Sequence, residues 1–274
     1  MSILSFNANT NDKNIFRDLT NHLQIMPGGR SSLSTATVNS FPMVKNPNIL
    51  IHASYITRPF TEDPSFVTIT NLKNYVSLGK RLGTKHILIH MPSNVNEFNN
   101  YNVGLQIIIE TICEKDMLCH FEVNPLSREL RELLGITREN EIEKYYEYTD
   151  EILKAIPKKY KNNFRIVIDT AHLFANGFTG KDMIPYIDKY KDMIEFIHFN
   201  GNKSSISNSK DKHIPMYKSG NNIKEVKELT TYISSLKKLL IAEDSTERGT
   251  YDEWKKFCET YDIKIVPFDS HYSI

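Results

Sequence analysis

Several features that would narrow the class of this protein are scarce in its sequence. The three cysteines, Cys113, Cys119 and Cys258, are an odd number and form no C-x-x-C pair. That usage argues against a disulfide framework or a cysteine-based zinc site, and it favours a reducing compartment with buried thiols. No apolar run approaches the roughly 20 residues of a membrane-spanning helix. The formal net charge is only +1, so the overall field neither favours nor opposes a polyanionic partner.

The N-terminus also lacks a cationic region followed by a long apolar run, and we therefore expect no signal peptide. Together these absences predict a soluble intracellular protein, located in the cytoplasm or the nucleus. With 274 residues the chain can bury a large core as one domain. No change in composition marks a second domain, and we expect a single domain over residues 1–274.

What the sequence does contain is a regular alternation of short apolar runs and amphipathic stretches. The apolar runs predict eight strands, at 3–6, 23–26, 48–52, 86–90, 117–122, 165–169, 194–198 and 239–243, with a possible ninth extended piece at 263–268. The amphipathic stretches predict helices at 11–22, 63–83, 96–114, 139–155, 181–190, 223–236 and 251–260. Eight strands separated by helices are typical of an α/β protein folded as a (β/α)8 TIM barrel.

The segment 165–177 carries the clearest chemical signal. An apolar strand runs directly into Asp169, and His172 follows three residues later. Parallel α/β proteins present reactive groups at the C-terminal ends of their strands, and Asp and neutral His are ligands that zinc accepts. The structural alternative is that Asp169 caps the next helix while His172 packs in the core.

The same pattern recurs at the ends of six predicted strands. The third to the eighth strand end in His52, His90, Glu122, Asp169, His198 and Glu243. In a barrel these ends converge on one face, where buried acceptors need a cation to offset the loss of water. His172 and two residues of the polar loop 200–220, Asp211 and His213, raise the number of candidate ligands beyond what a single tetrahedral zinc can use.

Each of these residues also has an ordinary structural interpretation. A single histidine at a strand is more often a hydrogen-bonded core residue than a ligand, and we interpret His86 and His120 in this way because they start or lie within their strands. Asp211 and His213 occupy a loop rich in Ser, Asn and Lys, where a solvated turn is the simplest expectation. The argument for a metal centre therefore depends on the set and not on any one residue.

The set resembles the endonuclease IV family of apurinic/apyrimidinic (AP) endonucleases, in the xylose isomerase-like TIM barrel superfamily. The resemblance extends from about residue 23 to Glu243. The segments that carry it are His-Ala-Ser-Tyr at 52–55, Ile-His-Met-Pro-Ser at 89–93, Glu-Val-Asn at 122–124, Asp-Thr-Ala-His-Leu-Phe-Ala-Asn-Gly at 169–177, His-Phe-Asn at 198–200, Asp-Lys-His at 211–213 and Glu243.

The resemblance implies a centre of three zinc ions per chain, in which Glu122 is the one bridging side chain and the catalytic residue. The implied ligands are His52, His90 and Glu122 for one zinc, Glu122, Asp169, His198 and Glu243 for the second, and His172, Asp211 and His213 for the third.

It also implies a DNA-repair endonuclease that hydrolyses the phosphodiester 5′ to an abasic site in double-stranded DNA, leaving a 3′-hydroxyl and a 5′-deoxyribose phosphate. A metal-bound hydroxide serves as the nucleophile, because zinc lowers the pKa of bound water to about 7. Arg30 and Tyr55 are the implied DNA-contacting residues, which fill the stack left by a flipped-out nucleotide. We expect a monomer that does not associate with membranes.

The chain departs from the family pattern at three places. Gly201 stands where the family commonly has Asp, the segment after Glu122 reads Val-Asn-Pro-Leu-Ser instead of being rich in small residues, and Thr57-Arg58 replaces an asparagine. Three other functions remain open: a metal-dependent sugar isomerase or epimerase on the same barrel, a UV-damage endonuclease, and a non-enzymatic barrel with a decayed site. The third ligand set favours the phosphodiesterase over the sugar enzyme, which normally needs one or two metals.

Overall fold

The computed structural model describes residues 1–8, 24–27, 31–203, 206–208, 210, 212–219, 223–243 and 248–266. The chain divides into two compact units. Unit 1 comprises Met1–Asn7, Val123–Glu147 and Ile166–Ile274, and unit 2 comprises Ala8–Glu122 and Tyr148–Arg165.

Short strands and longer helices alternate along the described residues. The strands are β1 (Ile3–Ala8), β2 (Gln24–Ile25), β3 (Leu50–His52), β4 (His86–His90), β5 (Leu118–Glu122), β6 (Phe164–Asp169), β7 (Ile194–His198), β8 (Asn200–Asn202), β9 (His213–Pro215), β10 (Leu239–Ala242) and β11 (Lys264–Ile265). The helices are α1 (Thr35–Ser40), α2 (Phe66–Leu82), α3 (Val95–Asn99), α4 (Tyr101–Thr111), α5 (Arg128–Leu133), α6 (Glu141–Ala155), α7 (Thr170–Ala175), α8 (Gly180–Tyr190), α9 (Ile223–Ser235) and α10 (Arg248–Thr260).

Unit 2 contains four neighbouring parallel strands. β2 pairs with β3, β3 with β4 and β4 with β5, and His90 lies opposite Glu122 in the last pair. The interior of β3 and β4 is fully buried and apolar, as expected for strands covered on both faces. Helix α2 connects β3 to β4, capped by Ser65 at its start and ended by Gly83, whose φ of 72° suits a residue without a side chain.

Unit 1 contains a second set of parallel strands and one antiparallel hairpin. β6 pairs with β7, β7 with β10, β10 with β1 and β1 with β11. Asp169 lies opposite His198 at the ends of β6 and β7. In the hairpin, β8 pairs with β9, and Asn202 lies opposite His213. Strand pairing therefore brings predicted ligands to neighbouring strand ends in both units.

The α/β class with mainly parallel strands is confirmed, but several predicted boundaries are wrong. The predicted helix 96–114 is broken at Asn100, where the side-chain amide donates to the Asn96 carbonyl at 2.8 Å, into α3 and α4. The polar loop 200–220 contains β8 and β9, and α1 and α5 were not predicted. The predicted helix 11–22 lies outside the described residues. Closure of a (β/α)8 barrel and the single-domain organisation stay predictions. No helix in the described part of the chain has the length and apolar character to cross a membrane.

Candidate metal centre

The ends of β3, β4 and β5 bring His52, His90 and Glu122 together in unit 2. Nε2 of His90 lies 2.9 Å from Oε2 of Glu122, and Nε2 of His52 lies 3.4 Å from the same oxygen. The two imidazole rings meet edge to face with their centroids 5.0 Å apart. Two ring nitrogens thus converge on one carboxylate oxygen. Glu122 and His52 are almost fully buried, so the site holds little water.

A backbone hydrogen bond fixes which nitrogen of His52 faces this carboxylate. Nδ1 donates to the carbonyl of Ala53 at 2.8 Å, and a carbonyl can only accept. The neutral ring therefore keeps its proton on Nδ1 and turns the lone pair of Nε2 toward Glu122. Two acceptors that face each other in a buried site need a proton or a cation between them. Zinc-binding histidines commonly have this arrangement, in which the second ring nitrogen donates to a carbonyl or carboxylate.

Unit 1 gathers a second cluster around Asp169. Nδ1 of His198 lies 3.5 Å from Oδ2 of Asp169 and 3.5 Å from Oε2 of Glu243. His213 also lies between the two carboxylates, with Nε2 at 3.4 Å from Asp169 and Nδ1 at 3.3 Å from Glu243. His198 and Asp169 are completely buried. Nitrogen and oxygen donors in this arrangement suit zinc without any sulfur ligand.

His172 belongs to the unit 1 cluster and has the same tautomer as His52. Its Nδ1 donates to the Val123 carbonyl at 2.8 Å, which leaves Nε2 as the lone-pair nitrogen. Asp169, His172 and His213 can each offer a ligand atom within 4.8 Å of the other two. His172 is held in place by Asn176, whose side chain donates to the His172 carbonyl at 3.0 Å at the end of α7.

Asp169 is both a helix cap and a member of the cluster, so the two interpretations of this residue hold together. Oδ1 accepts hydrogen bonds from the backbone N–H groups of Ala171 at 2.7 Å and His172 at 3.2 Å, at the start of α7. Oδ2 is the oxygen that faces the imidazoles of His198 and His213. Burial alone raises the pKa of Asp169, but the surrounding imidazoles outweigh it and hold that pKa below its ordinary value.

Asn200 is a member of the site that sequence reasoning did not assign to any role. Its side-chain amide donates to Oδ2 of Asp169 and to Oε2 of Glu243, at 3.0 Å in both cases. The amide oxygen accepts from the backbone N–H of Glu243 at 3.1 Å. The available signal was its position, two residues after the predicted ligand His198.

Of the two predicted DNA-contacting residues, the structure describes only Tyr55. Its side chain is 52% exposed, and its ring centroid lies 4.9 Å from that of His90 and 6.1 Å from that of His52. An exposed aromatic ring thus lies beside the unit 2 cluster. Arg30 and the predicted zinc ligand Asp211 lie outside the described residues.

His86 and His120 contact each other, and with Glu195 they form a group of possible ligand atoms separate from that of His52, His90 and Glu122. Nδ1 of His86 lies 2.9 Å from Nε2 of His120, and the ring of His120 is fully buried. Hydrogen bonding in the core agrees with the interpretation made from their positions in β4 and β5.

The departure at Gly201 has a local explanation. A Cβ at this position would lie 2.7 Å from Cβ of Ser219 and 3.2 Å from Cγ1 of Ile214. The space that an aspartate side chain would need is therefore filled by neighbours from the end of the β8–β9 hairpin and the turn that follows it.

The three cysteines are buried and belong to neither cluster, which confirms the expected burial. Burial raises the pKa of the Cys113 and Cys258 thiols to about 12, and it raises that of Cys119 as well. Neutral thiols are poor nucleophiles and poor metal ligands.

Comparison with protein-family models gives no match, and a sequence search of curated proteins gives none either. Solved structures do match. Endonuclease IV from Thermus thermophilus has a TM-score of 0.67 and 13% identity, over 95% of this chain and 98% of that one. The 3-keto-D-glucoside 4-epimerase YcjR from E. coli has a TM-score of 0.55 and 10% identity, over 95% of this chain and 100% of that one.

A third match is the IOLI protein with a bound zinc atom, with a TM-score of 0.53 and 11% identity, over 100% of this chain and 91% of that one. These identities are too low to transfer an activity, and what the likenesses show is a common fold. That fold is shared with an endonuclease, a keto-glucoside epimerase and a protein that holds a zinc atom.

Proposed function

We propose that the chain is a zinc-dependent AP endonuclease of the endonuclease IV type, which hydrolyses the phosphodiester 5′ to an abasic site and leaves a 3′-hydroxyl and a 5′-deoxyribose phosphate. The observation that carries this proposal is the matched orientation of His52 and His172. Each ring gives its Nδ1 proton to a backbone carbonyl and keeps Nε2 for a cation beside a carboxylate. The two rings belong to different ligand clusters, so each cluster contains a histidine that is already oriented for a cation.

The proposed architecture is a single-domain (β/α)8 barrel with one trinuclear zinc centre. The likeness to a solved endonuclease IV over 95% of the chain supports the barrel. In that centre, Glu122 would be the ligand shared by two zinc ions, and Asp211 would complete the third ligand set with His172 and His213. These two assignments rest on the resemblance of the motifs to the family.

When bound, zinc activates a water molecule near neutral pH and neutralises the charge of the phosphate. The residues of this chain hold and orient that chemistry. The carbonyls of Ala53 and Val123 fix the tautomers of His52 and His172, so both rings present a lone pair without needing to reorganise. Tyr55 offers an exposed ring on which a nucleotide next to the abasic gap can stack.

A sugar epimerase is the second candidate, and the likeness to a 3-keto-D-glucoside 4-epimerase over nearly the whole length of both chains favours it. Two features support the nuclease instead. The candidate ligands outnumber what one or two metals need, and the exposed ring of Tyr55 suits a stacked base better than a buried sugar pocket.

The direct test is incubation of the zinc-loaded protein with a DNA duplex that contains one tetrahydrofuran analogue of an abasic site. We expect a single incision 5′ to the analogue with a 3′-hydroxyl that a polymerase can extend. The undamaged duplex of the same sequence is the control. An intact abasic duplex, together with turnover of a keto-sugar, would establish the epimerase.

A further inference from the structure

Two carboxylates of the unit 1 cluster share one neutral hydrogen-bond donor. The side-chain nitrogen of Asn200 lies 3.0 Å from Oδ2 of Asp169 and 3.0 Å from Oε2 of Glu243. An amide nitrogen has two hydrogens, so each carboxylate receives one of them. The oxygens that Asn200 contacts are the same two that face His198 and His213.

The orientation of this amide is fixed by its surroundings. The amide oxygen of Asn200 accepts from the backbone N–H of Glu243 at 3.1 Å. Rotating the amide by half a turn would set an oxygen against two carboxylates and an NH2 group against an N–H donor. Only one of the two orientations is therefore compatible with its partners.

The backbone of Asn200 is held by Thr170, the residue that follows Asp169. The Thr170 hydroxyl accepts from the N–H of Asn200 at 3.0 Å and donates to its carbonyl at 2.5 Å. Asn200 and Thr170 are both buried. Because Thr170 follows Asp169 directly, the amide and one of the carboxylates it contacts are tied to each other through a single residue.

We propose that Asn200 is a positioning residue that sets the direction and spacing of the Asp169 and Glu243 ligand oxygens. Its two hydrogens occupy one lone pair on each oxygen and direct the remaining lone pairs toward the histidines. A neutral amide does this without adding a charge that would compete with a cation. Mutation of a residue that hydrogen-bonds to a metal ligand typically lowers metal affinity by about 10- to 100-fold. This role rests on the proposed zinc centre, but not on the choice of DNA as the substrate.

The test measures metal binding and not catalysis. Zinc affinity is determined by competition with a chromophoric chelator, and the ligand field by the visible absorption of the cobalt-substituted protein. We expect Asn200→Ala to weaken zinc binding by about 10- to 100-fold and to shift the cobalt spectrum. Asn200→Leu, which keeps the shape and removes both donors, should do the same, and it covers the case in which the alanine variant folds poorly.

Asn71→Ala is the matched control, because Asn71 is an equally buried asparagine whose hydrogen bonds, to the Leu33 backbone and the Thr57 hydroxyl, involve no residue of either cluster. This control should lower thermal stability while leaving zinc affinity within about twofold of the wild type. If the Asn200 variants lose stability but keep the wild-type affinity and spectrum, the residue is merely structural and the proposal fails. A wild-type chain that binds neither zinc nor cobalt would also overturn it. Weakened zinc binding by the variants of a protein that cuts no abasic DNA would uphold Asn200 and refute only the proposed substrate.

Discussion

At the scale of single residues, the candidate site depends on which atom of each side chain faces inward. His52 and His172 commit their Nδ1 protons to the backbone, and Asp169 commits one oxygen to the start of α7. What remains on each residue is one atom directed at the cluster. The orientation of these side chains is therefore set by hydrogen bonds to the backbone. A substitution that changes only the inward-facing atom should leave that orientation unchanged.

Replacement of Glu122, the proposed shared ligand, tests the metal centre most directly. We expect Glu122→Gln to lower the cleavage of abasic DNA by at least about 100-fold, because a neutral amide is a weaker zinc ligand than a carboxylate and loss of one group that stabilises a transition state typically costs about 10²- to 10³-fold. The variant should still fold and bind abasic DNA, since the two side chains have nearly the same shape. Cleavage assays and gel-shift titrations measure the two effects.

A surface carboxylate provides the comparison for this variant. Glu132 pairs with Arg128 at 2.8 Å, and both side chains are mostly exposed. Glu132→Gln should leave cleavage unchanged. Turnover of Glu122→Gln at close to the wild-type rate would show that this carboxylate is not the bridge.

The cysteines test the composition of the centre. The three proposed ligand sets contain only nitrogen and oxygen donors, so they predict about three zinc ions per chain and no contribution from sulfur. We therefore expect elemental analysis to find the same zinc content in the wild type and in the Cys113→Ala, Cys119→Ala, Cys258→Ala triple variant. One metal or fewer in active enzyme would contradict the trinuclear centre.

The residue types at the strand ends could be predicted from the sequence, because a strand that is buried on both faces delivers its next polar residue to the same edge as its neighbours. The sequence could not predict that one side chain serves two purposes, as Asp169 does. That Asp169 divides its oxygens between a helix and a cluster depends on the turn geometry after β6. The role of Asn200 depends on a contact with Glu243, which is 43 residues away in the chain.

At the scale of elements, the turn after α7 makes a sharp demand on Gly177. Its φ is 98°, and a Cβ there would overlap the carboxylate of Glu141, which pairs with Arg131 at 2.8 Å and accepts from the Ser207 hydroxyl. We expect Gly177→Ala to lower the free energy of unfolding by about 2–5 kcal/mol, the sum of a left-handed backbone and an overpacked contact. Urea unfolding measures the change.

Gly135 allows the two contributions to be separated. Its φ is 65°, but no atom lies within 4 Å of the position of a Cβ. Gly135→Ala should therefore lose only the backbone part, about 1–2 kcal/mol. Equal losses for the two variants would mean that the contact with Glu141 adds nothing.

Most long helices and the central strands could be predicted from periodicity, since α2 and α6 have clear apolar stripes and recognisable ends. The hairpin of β8 and β9 could not, because β8 is the polar sequence Asn-Gly-Asn, β9 contains a proline, and each strand has only three residues. The two strands are stabilised by pairing with each other and by the hydrogen bond from Asn200 to Thr170. Neither contact is indicated by the local sequence.

At the scale of the whole molecule, a net charge of +1 means that the proposed recognition of DNA must depend on local features. Tyr55 is the described residue best suited to this, and Arg30 is its predicted partner. We expect the Arg30→Ala, Tyr55→Ala double variant to bind an abasic duplex about 5- to 150-fold more weakly, because stacking contributes about 1–3 kcal/mol per base. Binding to an undamaged duplex should change far less, and zinc content and thermal stability should be almost unchanged.

Two controls make this prediction specific. Activity on a small activated phosphodiester, which needs no flipped nucleotide, should survive in the double variant. Tyr160→Ala, in the turn before β6 and thus at the start of a strand rather than its end, should leave abasic binding unaffected. Equal losses on damaged and undamaged duplexes would exclude the stacking role.

The division of Asp169 between α7 and the cluster has a consequence for the motions of the backbone. Both oxygens belong to one rigid carboxylate, so a cation that immobilises Oδ2 also immobilises Oδ1 and the two N–H groups it accepts from. The amide hydrogens of Ala171 and His172 should then exchange with solvent deuterium more slowly when the metal is bound. Metal binding could therefore be detected as slower amide exchange at the start of α7, before any substrate is added.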